Sequence, residues 1–285
     1  MEWSVRACSP IGSTTPLKPD LQTKPGPAQR PELFASADTN MTNLDIWLVG
    51  IGTGSLSHIT LEGVQALRDA ALILVPHKGQ DKTDLAEIRY KIITASGARA
   101  EIAHFEYPER DPNLPYQERV ADWHDEIARR WQASITHAEI DGPVALLVWG
   151  DPSLYDSTLR IAARLHPKPS VRVVPGITAI QALTAAHAIP LNTVDGPVKI
   201  TTGRRLRASG MPEEDTVVVM LDGQCSFQHL NPAGLHIWWG AYLGSDHQIL
   251  IEGPLQERSA DIVKARSAAR QRHGWIMDSY ILRQD

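Results

Sequence analysis

The sequence predicts an α/β protein with a mostly parallel sheet in its N-terminal part and a mixed sheet in its C-terminal part. Three observations carry that expectation. Short apolar runs alternate with helical-period segments from Leu44 to about Ala188, and such alternation implies parallel strands covered by helices on both faces. Glycine or proline turns follow the apolar runs at Gly50-Ile51-Gly52-Thr53-Gly54, Gly150-Asp151-Pro152 and Pro175-Gly176. Beyond Pro190 fewer helices separate the strands, so that sheet is expected to be more antiparallel.

The elements follow in order. Ile46-Trp47-Leu48-Val49 is a strand by its apolar run. Thr60 to Leu67 is helical, with Leu61, Val64 and Leu67 spaced three apart. Ala71 to Val75 is a second strand, which Pro76 is expected to stop. Helices are expected from Leu85 to Thr94 and from about Tyr116 to Ala138. Val144 to Val148 is a buried strand, Ser157 to Leu165 a helix and Val171 to Val174 a strand. An alanine-rich helix runs from Thr178 to Ala188 and ends before Pro190. Further strands are expected at Val198–Thr202, Thr216–Leu221, Ile237–Trp239, His247–Glu252 and Trp275–Leu282. The helix from Ser259 to His273 stops at Gly274.

Bulk properties narrow the function classes. At 285 residues, with 42% hydrophobic and 21% charged side chains, the chain has ordinary globular composition. A net charge of -5 argues against a protein that coats nucleic acid. No apolar run has the length to span a bilayer. Cys8 and Cys225 alone make neither a disulfide framework nor a zinc cluster, so no metal is expected and the cytoplasm is the simplest compartment. Residues 1–43 read as a disordered tail, because Pro10, Pro16, Pro19, Pro25, Pro27 and Pro31 leave no apolar period. The start is open between Met1 and Met41. Residues 44–175 are expected to form an N-terminal α/β domain and 176–285 a C-terminal one.

Two turns invite chemistry. Asp151 follows the strand Val144–Val148, at the carboxyl end where open α/β sheets bind ligands; taken alone, it reads equally as a cap. Gly50, Gly52 and Gly54 invite a dinucleotide reading. That fingerprint needs a glycine where Ser55 stands and an acid after the second strand, where the chain has Val75-Pro76-His77. Both requirements fail. The glycines then serve either a structural turn or a close approach of backbone to a ligand.

Together, Val49-Gly50-Ile51-Gly52-Thr53-Gly54, Trp149-Gly150-Asp151-Pro152-Ser153-Leu154-Tyr155, Val174-Pro175-Gly176-Ile177-Thr178-Ala179 and Gly240-Ala241-Tyr242-Leu243-Gly244 resemble the tetrapyrrole methylase family, from about Leu44 to Leu282. The resemblance implies a two-domain fold with S-adenosyl-L-methionine bound in the cleft between the domains, a precorrin substrate and a homodimer. It implies cofactor contacts at Gly150, Asp151, Leu154, Thr178, Ala179, Met220, Leu221, Ala241 and Tyr242. Read singly, Met220 is also a core residue and Thr178 a helix N-cap.

The stretch from Val75 to Arg89, and tryptophans before Gly240, resemble a deacetylating subgroup. That subgroup methylates carbon 1 of precorrin-5 and releases the acetyl group there as acetate. Water attack on a ketone needs a base and an oxyanion stabiliser, and the candidates are His77, Lys78 and Asp81, with Lys82 and Asp84 beside them. Each also reads as an ordinary loop or capping residue. A polyanionic macrocycle calls for local cations. Lys82, Arg204 and Arg205, together with Gly52 and Thr53, are the substrate-side candidates, and Lys199, Arg207 and Lys78 lie near them in sequence. Many family members have Gly-Pro-Gly-Asp where this chain has Gly52-Thr53-Gly54-Ser55, so an acid proposed as proton acceptor in some relatives has no counterpart here. Other readings stay open: methylation of another precorrin carbon, of protein or of ribosomal RNA, or a non-catalytic binder of tetrapyrrole or cofactor.

Overall fold

The computed structural model describes residues 44–77 and 83–284. The expected tail, and Lys78, Asp81 and Lys82 of the candidate loop, lie outside the described residues. Both sheets belong to one unit, Met41–Asp285.

The first sheet holds β1 (Asp45–Gly50), β2 (Leu72–His77), β3 (Glu101–Glu106), β4 (Val144–Val148) and β5 (Ser170–Val174) in the order β3-β2-β4-β1-β5, all parallel. β1 and β4 are central and apolar, as strands covered on both faces must be. Leu48, Leu74, Leu146 and Val148 pack on one face against α3 (Tyr116–Ala138) and α4 (Thr158–Ala162). On the other face, Val49, Ile73, Val75 and Leu147 meet α1 (Leu61–Asp69) and α2 (Thr83–Ser96).

The second sheet holds β6 (Val198–Thr202), β7 (Thr216–Met220), β8 (Leu235–Ala241), β9 (Ile249–Pro254) and β10 (Asp278–Gln284) in the order β6-β7-β10-β8-β9. Only β6 and β7 pair in parallel; the other neighbours are antiparallel. α5 (Ala179–Ala186) covers one face through Ile180 and Leu183 against Val218 and Ile281. α7 (Leu255–His273) covers the other through Leu255 and Ile262, and α6 (Gly203–Ser209) joins it through Leu206. No helix among the described residues is long and apolar enough to cross a membrane.

β2, β3 and α6 differ from expectation, and α7 begins at Leu255 rather than at Ser259. β2 runs through Pro76 to His77 because its pairing with β4 ends at Leu74, so the missing N–H faces no partner strand on that side. β3 was not expected. It is an edge strand with Glu101, Ile102, His104 and Glu106 exposed, so it lacks an apolar run. α6 was not expected either; Thr202 is its N-cap and accepts from the Arg205 amide.

Candidate active site

The parallel strands end together, and three glycines let those ends touch. A Cβ on Gly50 would lie 2.6 Å from the Gly176 nitrogen and 2.8 Å from the Gly150 carbonyl oxygen. One on Gly176 would lie 2.8 Å from the Gly50 Cα and closer still to the Gly150 oxygen. The turn after β1 is laced to the turn after β4 by reciprocal backbone bonds: the Gly150 amide donates to Gly52 at 2.7 Å and the Gly52 amide to Gly150 at 3.3 Å.

Asp151 fastens this junction to β5. Its Oδ2 accepts from the Gly176 amide at 2.9 Å, and its Oδ1 accepts from the Ser153 amide at 2.8 Å and from the Ser153 hydroxyl. Burial opposes the charge on this carboxylate, but the Ser153 hydroxyl and the two backbone amides outweigh it and hold its pKa below the usual carboxylate range. A lowered folded-state pKa means that this stabilisation is full above the unfolded value and is lost as pH falls through the folded one. The latch therefore survives mild acid and opens only below the ordinary aspartate range. Asp151→Ala is expected to weaken S-adenosylmethionine binding at least about tenfold while the protein stays folded, because three hydrogen bonds that shape the loop vanish. Calorimetry on the folded variant checks this; unchanged affinity would remove the loop from the cofactor site.

Above the junction lies a cavity of about 520 Å³, within the size range of small-molecule sites. Of the residues that the family resemblance placed at the cofactor, Gly150, Asp151, Leu154, Thr178, Ala179, Met220, Leu221 and Tyr242 line it. Ala241 does not; it is fully buried at the end of β8, next to Tyr242. Thr178 is also the N-cap of α5, accepting from the Ile180 amide at 3.2 Å. Gly52 and Thr53 of the substrate-side set reach the cavity wall.

The remaining candidates lie elsewhere. Arg204 and Arg205 are exposed on α6 and do not line the cavity. Arg204 sits over the Tyr116 ring at 4.1 Å, and Lys199 pairs with Glu214 at 2.9 Å. His77 ends β2, exposed, and is not part of the cavity lining. It nonetheless stands at the carboxyl edge of the same parallel sheet, since β2 neighbours β4. Trp239 is buried and donates to Asp278 at 3.0 Å, whereas Trp238 stacks on His236; neither lines the cavity.

Sequence reasoning missed the wall formed by Asp222, Arg266 and Asp278. Asp278 opens β10, and Arg266 of α7 grips it through Nε at 2.9 Å and a second nitrogen at 3.3 Å. Burial works against the charge of Arg266, but its bonds to Asp278 and their mutual attraction prevail and raise its pKa. Asp222 is buried beyond the end of β7. It accepts from the Tyr280 hydroxyl at 2.7 Å, from the Ser226 amide at 2.5 Å and from the Ser226 hydroxyl at 2.8 Å. Burial, and then the Asp222 carboxylate, push the Tyr280 phenol far above its usual pKa, so it stays a donor. A charged residue opening the apolar run of β10 was the one sequence signal for this wall.

The lining thus carries four carboxylate residues, Asp151, Asp156, Asp222 and Asp278, against one arginine, Arg266. That excess of acid, beside apolar Leu154, Met220, Leu243, Ile276 and Met277, suits a cationic, partly apolar ligand such as a sulfonium. Tyr155, Leu221 and Tyr242 all line the cavity with positive φ, at 51°, 53° and 50°. Backbone held in the left-handed region by non-glycine residues gathers at ligand sites.

Comparison with known proteins agrees with this architecture. A family model described as Tetrapyrrole (Corrin/Porphyrin) Methylases matches residues 45–258. The precorrin-6A synthase [deacetylating] of a Sinorhizobium species is 43% identical over 247 residues, which cover 84% of this chain and 95% of that protein. The crystal structure of a putative cobalamin synthesis related protein from Corynebacterium diphtheriae is 39% identical and superposes with a TM-score of 0.73, covering 85% of this chain and 99% of that one. A uroporphyrin-III C-methyl transferase from Thermus thermophilus, solved with S-adenyl homocysteine, shares the fold at 16% identity and a TM-score of 0.55, covering 84% and 96%.

Proposed function

The chain belongs to the tetrapyrrole methylase family, and on that premise we propose that it is a precorrin-6A synthase of the deacetylating type. In this reading it transfers a methyl group from S-adenosylmethionine to carbon 1 of precorrin-5 and releases acetate, in cobalamin biosynthesis. The observation that carries the reading is the 43% identity to the Sinorhizobium precorrin-6A synthase over 95% of that protein's length.

Bound S-adenosylmethionine would supply an electrophilic methyl group on a good leaving group. The protein's task is then alignment and exclusion of water. Gly150, Asp151 and Leu154 on one side, Thr178 and Ala179 at the start of α5, and Met220, Leu221 and Tyr242 on the other would hold the cofactor. Asp222 and Asp278 are held in their wall by Tyr280 and Arg266. The macrocycle is larger than the cavity and polyanionic. We place it across the carboxyl edge of the first sheet, with His77 at the end of β2 on one flank and Arg204 and Arg205 of α6 on the other. Homodimer assembly and a cytoplasmic location belong to the same proposal, on the family resemblance.

The test is stoichiometric. Purified protein with precorrin-5 and labelled cofactor should yield methylated product and acetate in equal amounts. At least one of His77→Ala, Lys78→Ala and Asp81→Ala should slow acetate release more than it weakens cofactor binding. Methyl transfer without acetate would redirect the reading to another precorrin carbon.

A further inference from the structure

The cavity wall next to β1 carries a hydroxyl with a base behind it. Thr53 follows Gly52 in the turn out of β1 and lines the cavity. Its Oγ1 lies 3.0 Å from Nδ1 of His58, which closes the short 3-10 turn Leu56–His58. Two glycines make room for His58, one at its ring and one at its Cβ and carbonyl. A Cβ on Gly244 would stand 2.5 Å from its Cε1 and 2.9 Å from its Nδ1; one on Gly52 would collide with the His58 Cβ and stand 3.0 Å from the His58 carbonyl oxygen. Both glycines have positive φ, +77° at Gly244 and +74° at Gly52, so a side chain is unwelcome there on two counts. Gly244 thus leaves room for the His58 ring, and Gly52 for its Cβ and carbonyl.

An activated hydroxyl needs a base within hydrogen-bond reach and something that orients the base. Here both are present, at a wall of the cavity. With the imidazole proton on Nε2, the Thr53 hydroxyl donates to Nδ1 and keeps its lone pairs for a second partner.

We propose that Thr53 and His58 are the proton-accepting pair for acetate release, Thr53 as the catalytic residue and His58 acting through it. The proposal rests on the deacetylating reading above. The oxygen of a water bonded to Thr53 attacks the carbonyl carbon of the acetyl group. One water proton passes to the Thr53 oxygen as the Thr53 proton passes to His58 Nδ1. The bond from the acetyl carbon to carbon 1 then breaks. Its electron pair stays on carbon 1, the atom that receives the methyl group, and the acetyl carbon departs as acetic acid, which ionises to acetate.

The experiment uses the full chain with S-adenosylmethionine and precorrin-5, and measures acetate, methyl transfer and cofactor affinity together. Thr53→Val and His58→Asn should each lower kcat for acetate release about a hundredfold or more, the range of a lost general base. Cofactor Kd should move less than about threefold, because neither residue is among those assigned to the cofactor. Thr53→Ser, which keeps the hydroxyl, should retain turnover within about tenfold. His58→Asn preserves a side-chain hydrogen bond to Thr53 but removes the basic nitrogen, so a purely structural bond would leave it active. Added imidazole should restore turnover to His58→Ala. Undiminished acetate release in Thr53→Val or His58→Asn overturns the pair and leaves the functional reading standing. A fall in turnover matched by an equal loss of cofactor affinity also overturns it, in favour of a structural turn. No acetate from the unmutated protein removes the functional reading, and the pair with it.

Discussion

Gly176→Ala is expected to destabilise the protein by about 3 kcal/mol, the upper part of the range for a side chain forced into filled space. The new Cβ would meet the Gly50 Cα at 2.8 Å and press closer still on the Gly150 carbonyl oxygen. Both are backbone atoms at the ends of central strands β1 and β4, so no side-chain rotation relieves the contact. The junction must open, and with it the amide that Gly176 donates to Asp151. Cofactor affinity should therefore fall at least about tenfold even below the melting temperature, the equivalent of one lost charge-assisted hydrogen bond. A melting temperature lower by about 10 °C is the corresponding thermal signature. Gly210→Ala is the control: its φ is +73° but nothing lies within 4 Å of the added atom, so it should cost only the backbone strain, about 1 kcal/mol. Equal effects at the two positions would show that the strand-end contact carries no weight.

Asp222→Ala should cost about 4 kcal/mol, because it strands several buried donors at once. Tyr280 is 1% exposed and Ser226 fully buried. The variant leaves the Tyr280 hydroxyl and the amide and hydroxyl of Ser226 without their acceptor. Ionising the Tyr280 phenol offers no escape, since burial keeps it protonated. Asp222→Asn retains one acceptor oxygen and should recover about half of the loss. Denaturant unfolding decides: the midpoint should drop for Ala, less for Asn, with the slope unchanged. A midpoint that does not move for Ala would mean that water replaces the carboxylate and that the wall is not sealed.

Much of the fold was legible because burial writes itself locally. Val144–Val148 and Val198–Thr202 are strands with the bounds that their runs imply. Thr60 and Thr178 begin helices as their side chains allow, each accepting from an amide two or three residues on. β3 and α6 escaped notice for opposite reasons. An edge strand facing solvent carries no apolar run, and α6 is too short for a period to show. Pro76 misled because a missing N–H matters only where a neighbouring strand needs it, and sheet order is not written in the local sequence.

The candidate site divides along the same line. Backbone turns at strand ends could be read from Gly50-Ile51-Gly52, Gly150-Asp151-Pro152 and Pro175-Gly176, because such turns demand particular residues wherever they occur. Arginines offered as substrate contacts could not be placed; Arg204 lies on Tyr116, 88 positions away in sequence, and its surroundings follow from how α3 and α6 pack. The same holds for Arg266 with Asp278 and for Asp222 with Tyr280, which meet because β7 and β10 pair and α7 lies over their sheet. By itself the sequence determined most of the strands and helices and the turns that end them, since period and backbone conformation are properties of neighbours along the chain. The tertiary structure alone decided which polar groups converge on the cavity, including Thr53 with His58 beneath Gly244, because convergence depends on strand order and on the side-chain space that distant glycines leave open.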